Sequence, residues 1–279
     1  MKKLPHFLVC GAMKAGSTSF FHYLNEHPQI YMYPKKEVHF FDRDEFYAKG
    51  ISFYEKKFIR AKENQIIGEV TPGYMFLRKV PERIKENLPG AKLIFILRDP
   101  VKRAQSHYLH MIRRGLETLS FEDALAAEEE RISKGEKWFR AYSYKERGKY
   151  IDQIERFAQL FPREQLYFMI LEDLHSNADE VFGHLFKFLN INADFIPQSF
   201  YNRPKNFARI PKYPAFTRKF KNGFLNKIPN LYKLHDKFFL KEADASISPS
   251  TEAELRNYFR PYNKRLSRFL ERNNILWDE

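Results

Sequence analysis

The stretch HFLVCGAMKAGSTS, residues 6–19, decides the fold. Its first five residues form a short apolar run suited to a buried strand, and they pass at once into a loop holding Gly11 and Gly16. A helix follows, because Phe20, Phe21 and Leu24 recur at helical spacing and Pro28 stops them. Strand, glycine loop and helix together make an anion cradle. Backbone N–H groups at a helix N-terminus point forward, the macrodipole adds partial positive charge, and glycine lets the backbone approach a ligand closely. The Gly-x4-Gly spacing is that of a Walker A loop, yet such a loop carries Gly-Lys-Ser/Thr. Here Gly16 is followed directly by Ser17 and Thr18, and the lysine is Lys14. No metal-holding carboxylate of the Walker B kind follows a later strand. The loop therefore reads as a binder of a phosphate-like group and not as the site of an ATPase or GTPase.

Working outward, residues 65–70 form a second strand candidate, 92–97 (KLIFIL) the third and strongest, and 166–171 (LYFMIL) the fourth. Pro100 suits the first turn of a helix running to about Arg114. A helix over 121–133 has Ser120 as N-cap and Asp123 at its third position, and further helices span 145–160, 177–190 and 250–273. Apolar strands alternating with helices predict an α/β fold, a three-layer sandwich with a central parallel sheet and a P-loop-like loop for a phosphate-like group. No repeat or linker divides the chain, so one domain over residues 1–279 is expected.

Composition excludes several classes. With 28 Phe and 16 Tyr among 279 residues, global disorder is ruled out although 30% of residues are charged. One cysteine excludes a disulfide framework and a Cys-rich zinc site. No apolar run reaches membrane-spanning length, and the start MKKLPHFLVCGAMKAG makes a poor signal peptide, so a cytoplasmic location is expected. The net charge of +13 calls for an anionic partner: nucleic acid, a membrane surface, an acidic small molecule or a polysaccharide. Much of it lies in residues 197–240, where ten Lys or Arg face one acid, Asp236, among five prolines. That segment reads either as a solvated basic surface or as an anion-binding loop closing over a site like a lid.

Lys14-Ala15-Gly16-Ser17-Thr18 resembles the 5′-phosphosulfate loop of sulfotransferases that use 3′-phosphoadenosine 5′-phosphosulfate (PAPS). KLIFILRDPVKRAQSHY is similar to their second signature, which implies that Arg98 and Ser106 hold the nucleotide 3′-phosphate. Lys36-Glu37-Val38-His39-Phe40-Phe41-Asp42, with GEVTPGY at 68–74, resembles the heparan-sulfate-type carbohydrate sulfotransferases. The resemblance implies that Glu37 is the catalytic base and that Lys14 neutralises charge on the leaving oxygen. Ser17, Thr18, Ser19 and the backbone from Ala15 through Gly16 would grip the 5′-phosphate. His39 is either a competing base or a packed core residue, and Lys36 and Tyr74 are candidates for contact with sulfuryl group or acceptor. In the basic segment Lys205, Asn206 and Arg209 are candidates for the nucleotide clamp. The chain departs from the pattern at Val70, where glycosaminoglycan enzymes often carry lysine, and at Gly148, where serine is frequent.

The implied function is sulfuryl transfer from PAPS to a hydroxyl of a carbohydrate or anionic polysaccharide, yielding PAP and needing no metal. Sulfation of an amine or of a non-carbohydrate small molecule is the nearest alternative. A P-loop kinase and a non-enzymatic polyanion-binding module are the readings of another class; nucleic acid is not an implied partner.

Overall fold

In the computed structural model the apolar run becomes β1 (Phe7–Gly11), the middle strand of a five-stranded sheet. The structure describes residues 3–202, 209–212, 240–242, 246–274 and 276–278. The other strands are β2 (Ile30–Met32), β3 (Ile66–Val70), β4 (Lys92–Leu97) and β5 (Leu166–Ile170). They lie in the order β2-β3-β1-β4-β5, and every pairing is parallel. The near-continuous Leu, Ile, Val and Phe of β1 and β4 is what a sheet covered on both faces requires.

Alternation along β5 gives those faces directly. Phe168 points to one side, where it stacks with Phe95 and meets Phe269 edge-on. Phe95 also meets Phe157 of the Tyr150–Ala158 helix there. Tyr167 points the other way onto Phe188 of the Ala178–Leu189 helix. Helices therefore lie on both sides of the sheet, which makes the three layers expected from the sequence. Register places Phe7 opposite Gly68, and a Cβ on Gly68 would lie 2.1 Å from the Phe7 ring. Only glycine fits at that crossing.

The chain forms two compact units. The first holds the sheet and comprises Met1–Arg98, Tyr150–Arg203 and Tyr262–Leu276; the second comprises Asp99–Lys149, Pro204–Pro261 and Trp277–Glu279. In the second, Asp99 caps the Pro100–Arg113 helix by accepting from the N–H groups of Val101 (2.8 Å) and Lys102 (3.3 Å). Its core gathers Val101, Ala104, Met111, Tyr144, Leu255 and Phe259. Ser120 caps the next helix as expected, accepting from Asp123 N at 3.1 Å. That helix ends at Ala126, and a separate Glu128–Ser133 helix follows, so the single helix expected over 121–133 is two. Likewise 145–160 divides into a 3-10 turn, Glu146–Gly148, and the Tyr150–Ala158 helix. Lys149, at φ −76° and ψ 66°, leaves the helical region between them, and Gly148 beside it packs so closely that a Cβ there would lie 2.5 Å from the Phe259 ring. Within the basic segment two short strands, β6 (Arg209–Pro211) and β7 (Leu240–Glu242), pair antiparallel. The three-residue β2 is too short for a period to register, and the Val80–Asn87 helix, which has Pro81 in its first turn and buries Val80 and Ile84 one turn apart, was not among the helices expected.

Candidate active site

The first four strands of the sheet direct their carboxyl ends at one site. Chain leaving β1 passes toward β2 while chain leaving β4 passes toward β5 on the opposite side, and ligands of open parallel sheets sit at such a divergence. Here the divergence is furnished by the glycine loop after β1 and by Arg98 after β4. Arg98 Nη1 donates to the Lys14 carbonyl at 3.1 Å and joins the two. Tyr150 steadies this corner, its hydroxyl donating to the Arg98 carbonyl at 2.8 Å.

The loop is built for an anion. Gly16 sits at φ 84° as N-cap of the Ser17–Glu26 helix, makes no side-chain cap, and is followed by no acidic residue in the first turn. The first intrahelical bond to that cap comes from Phe20 N (3.1 Å), so the N–H groups of Ser17, Thr18 and Ser19 face forward. Lys14 lies in the left-handed region at φ 73°. Ala15 and Ser17 are buried, Ser19 half-buried and Thr18 exposed.

The Lys36–Asp42 run crosses this loop. Glu37 N donates to the Val70 carbonyl at 3.1 Å, which docks the run on the end of β3. Lys36 Nζ donates to Thr18 Oγ1 (2.9 Å), Ser17 Oγ (3.2 Å) and Glu37 Oε1 (3.4 Å). Burial pulls its pKa below the ordinary lysine range against the attraction of Glu37. His39 stands between two carboxylates: Nε2 lies 3.3 Å from Glu37 Oε2 and Nδ1 3.0 Å from Asp42 Oδ2. Burial opposes its charge, but hydrogen bonds and attraction to Asp42 and Glu37 outweigh that and push its pKa up to about 9. It is therefore imidazolium at neutral pH, with each ring nitrogen facing a carboxylate. Glu37 is held below the usual carboxylate range, first by His39 and then by Lys36. Its side chain stays 41% exposed while that of Asp42 is fully buried. Glu37 (φ 67°) and His39 (φ 56°) both have left-handed backbone, the conformation L-residues adopt only where surroundings enforce it.

The structure thus gathers Lys14, Ala15, Gly16, Ser17, Thr18, Ser19, Lys36, Glu37, His39 and Arg98 in the first unit. His39, open between a competing base and a packed ring from the sequence, is partly exposed and set between the carboxylates of Glu37 and Asp42. Tyr74 requires a correction: it is fully buried, its hydroxyl donating to Glu69 Oε1 at 2.7 Å and accepting from Phe40 N at 3.0 Å. No part of it is left to touch an acceptor. Ser106 lies half-buried on the Pro100–Arg113 helix of the second unit. Lys205 and Asn206 lie outside the described residues, and Arg209 begins β6. Asp42 went unassigned from the sequence, although its spacing of three from His39 is the readable signal. Among the described residues no cluster of His, Cys, Asp and Glu is placed to hold a metal ion, and no helix is long and apolar enough to cross a membrane.

Comparison with known proteins agrees with this geometry. The family model described as sulfotransferase domain matches residues 4–267. Heparan sulfate glucosamine 3-O-sulfotransferase 5 of Mus musculus is 29% identical over 269 residues, covering 95% of this chain and 72% of that one. Among solved structures, a sulfotransferase from Alicyclobacillus acidocaldarius superposes with a TM-score of 0.75 at 28% identity over 99% of both chains. Mouse sulfotransferase SULT7A1 complexed with PAP shares the fold, with a TM-score of 0.55 at 15% identity over 97% of this chain and 89% of that one. An anion loop after the first strand and a family match over nearly the whole length lead to one conclusion: the chain belongs to the sulfotransferase domain family and is a sulfotransferase enzyme.

Proposed function

We propose that this sulfotransferase moves the sulfuryl group of PAPS to a hydroxyl of a carbohydrate chain, with Glu37 as general base. One observation carries the reading. Lys36 bonds at once to the Thr18 hydroxyl of the anion loop and to the Glu37 carboxylate, so the anion cradle and the base lie within one side chain of each other. The family match crosses segments of both units, which supports treating them as a single catalytic domain.

The residues present fit the nucleotide. An uncapped helix start with two hydroxyls and no first-turn acid suits a 5′-phosphate, and Arg98 brings a guanidinium fork suited to a second phosphate. When bound, PAPS supplies an activated sulfuryl group attached to a phosphate leaving group. The N–H groups and hydroxyls of Ser17 and Thr18 hold the phosphate end, and Lys14 offsets charge developing there. Glu37, ionised at neutral pH, takes the proton of the acceptor hydroxyl, a contribution of about 10²–10⁴-fold. His39 and Asp42 keep that carboxylate pointed. The carbohydrate acceptor is supported by the relative's name and by a net charge of +13, which suits an anionic chain.

Calorimetric titration with PAP and with ATP, without magnesium, tests the cofactor class. Micromolar PAP binding is expected, with ATP much weaker. Arg98→Ala should weaken PAP by roughly 10- to 100-fold, the loss of a charged hydrogen bond worth about 1.5–3 kcal/mol. Equal affinity for ATP, or none for PAP, overturns the reading.

A further inference from the structure

We propose that Glu69 is a positioning residue of the transfer reaction: through Tyr54 and Tyr74 it fixes the Phe40–Phe41 backbone and thereby sets Glu37 and His39. The proposal rests on the reading of Glu37 as base.

Glu69 is the fourth residue of β3 and is 2% exposed. Three hydroxyls converge on its carboxylate. Oε1 accepts from Thr71 Oγ1 at 2.6 Å and from Tyr74 OH at 2.7 Å, and Oε2 accepts from Tyr54 OH. The Tyr74 oxygen in turn accepts from Phe40 N at 3.0 Å and from Phe41 N at 3.4 Å. The same two tyrosine rings enclose the phenylalanines. Tyr54 stacks on Phe40 with centroids 4.5 Å apart and planes 14° from parallel, and it meets Phe41 edge-on at 5.3 Å. Tyr74 meets Phe41 edge-on at 5.5 Å.

Phe40 and Phe41 lie between His39 and Asp42, the two halves of the hydrogen-bonded pair behind Glu37. The side chain of Glu69 therefore reaches the turn behind the base through the Tyr74 hydroxyl and two backbone N–H groups, with the Tyr54 ring packed beside them, while its backbone neighbour Val70 holds Glu37 N separately. Stability alone does not account for such a residue. A carboxyl that has no cationic partner among the described residues is expensive to bury, and a leucine would fill the volume more cheaply. Burial pushes the Glu69 pKa up to about 7 despite its three donors, with the Asp42 charge adding to the rise. What the carboxyl supplies and leucine cannot is direction: it fixes where two tyrosine hydroxyls point, and one of them fixes the turn that carries two left-handed residues.

The experiment compares Tyr74→Phe, Glu69→Leu and Glu69→Gln with wild type, using labelled PAPS and an N-sulfated heparosan chain. Tyr74→Phe keeps the ring and removes the bridge. It should lower kcat by about 10²-fold, the penalty for a reacting group misplaced by roughly 1 Å, with PAP affinity within about twofold of wild type. Glu69→Gln still offers an oxygen to Tyr74 and should run about tenfold faster than Glu69→Leu. In a Glu37→Gln background Tyr74→Phe should add nothing, because both changes act through one group. Independently of any acceptor, the NMR titration of His39 should move down by more than half a pH unit in Tyr74→Phe. A kcat within about twofold of wild type, a loss that adds in full to Glu37→Gln, or an unmoved His39 titration overturns the proposal. Failure of the wild type to transfer from PAPS would overturn the functional reading instead, and the His39 titration would still decide this one.

Discussion

Asp42→Asn puts the electrostatics of the site to a quantitative test. His39 rises from an ordinary 6.5 to about 9 because two carboxylates flank it, Asp42 the more buried of the pair. That rise corresponds to roughly 3 kcal/mol of preference for the imidazolium, at about 1.4 kcal/mol per pH unit. When wild-type His39 loses its proton on the alkaline side, the buried Asp42 retains the Nδ1–H. Nε2 then turns a lone pair toward Glu37 Oε2, and the carboxylate loses its alignment. The rate of sulfuryl transfer should therefore fall on an alkaline limb near pH 9. In Asp42→Asn the larger of the two anchors is gone, and the limb should move down by roughly one unit or more. The assay is kcat against pH from 6 to 10 at saturating PAPS and acceptor. Stability follows with a defined sign. A folded-state pKa above the unfolded one contributes stability that is fully present below pH 6.5 and is lost as pH rises through about 9. Thermal melts should show that loss, roughly 1–2 kcal/mol after solvent screening, and Asp42→Asn should reduce it. An alkaline limb that stays near pH 9 in Asp42→Asn refutes the reasoning.

Glu37→Gln should lower kcat by about 10²–10⁴-fold while leaving PAP affinity within a few-fold, since the amide cannot take the acceptor proton. Gly16→Ala forces a side chain at φ 84° with Leu171 Cδ1 3.1 Å away, and should weaken PAP binding as well as cost about 1 kcal/mol of stability, measured by calorimetry and denaturant melts. Gly68→Ala drives a methyl into the Phe7 ring at the centre of the sheet and should destabilise the chain by about 3 kcal/mol or more. A Gly68→Ala variant melting within a few degrees of wild type would mean that β1 and β3 separate more easily than their register implies.

The sheet was legible because its strands are long apolar runs bounded by punctuation: KLIFIL matched β4 residue for residue, and the other three expected strands fell within a residue of their ends. What escaped notice was held by distant contacts. Ile30–Met32 is too short for any period to register, and the tight packing of Gly148 against Phe259 involves a residue more than a hundred positions away. The site divided in the same way. Lys14, Gly16, Glu37 and Arg98 lie in motifs whose chemistry reads locally, whereas Tyr74 read as a substrate contact because its hydroxyl partners come from residues 40 and 69. The charge on His39 was equally hidden. Its apolar neighbours Val38 and Phe40 suggest a packed ring, and only the turn toward Asp42 brings it between two carboxylates.

The left-handed backbone at Lys14, Glu37 and His39 has a bearing on how this enzyme would respond to selection in the laboratory. Each of these positions would be relieved of about 1 kcal/mol or more by glycine, which has no Cβ to crowd the following carbonyl. At 39 that gain is cancelled, because glycine would leave the buried Asp42 without its imidazolium partner; a library screened for heat resistance alone should enrich glycine at 14 and 37, and each such winner would lack a charged group that the proposed chemistry uses. Directed evolution for robustness would thus drift toward sturdy, inactive proteins at two known addresses, unless turnover is scored in the same round.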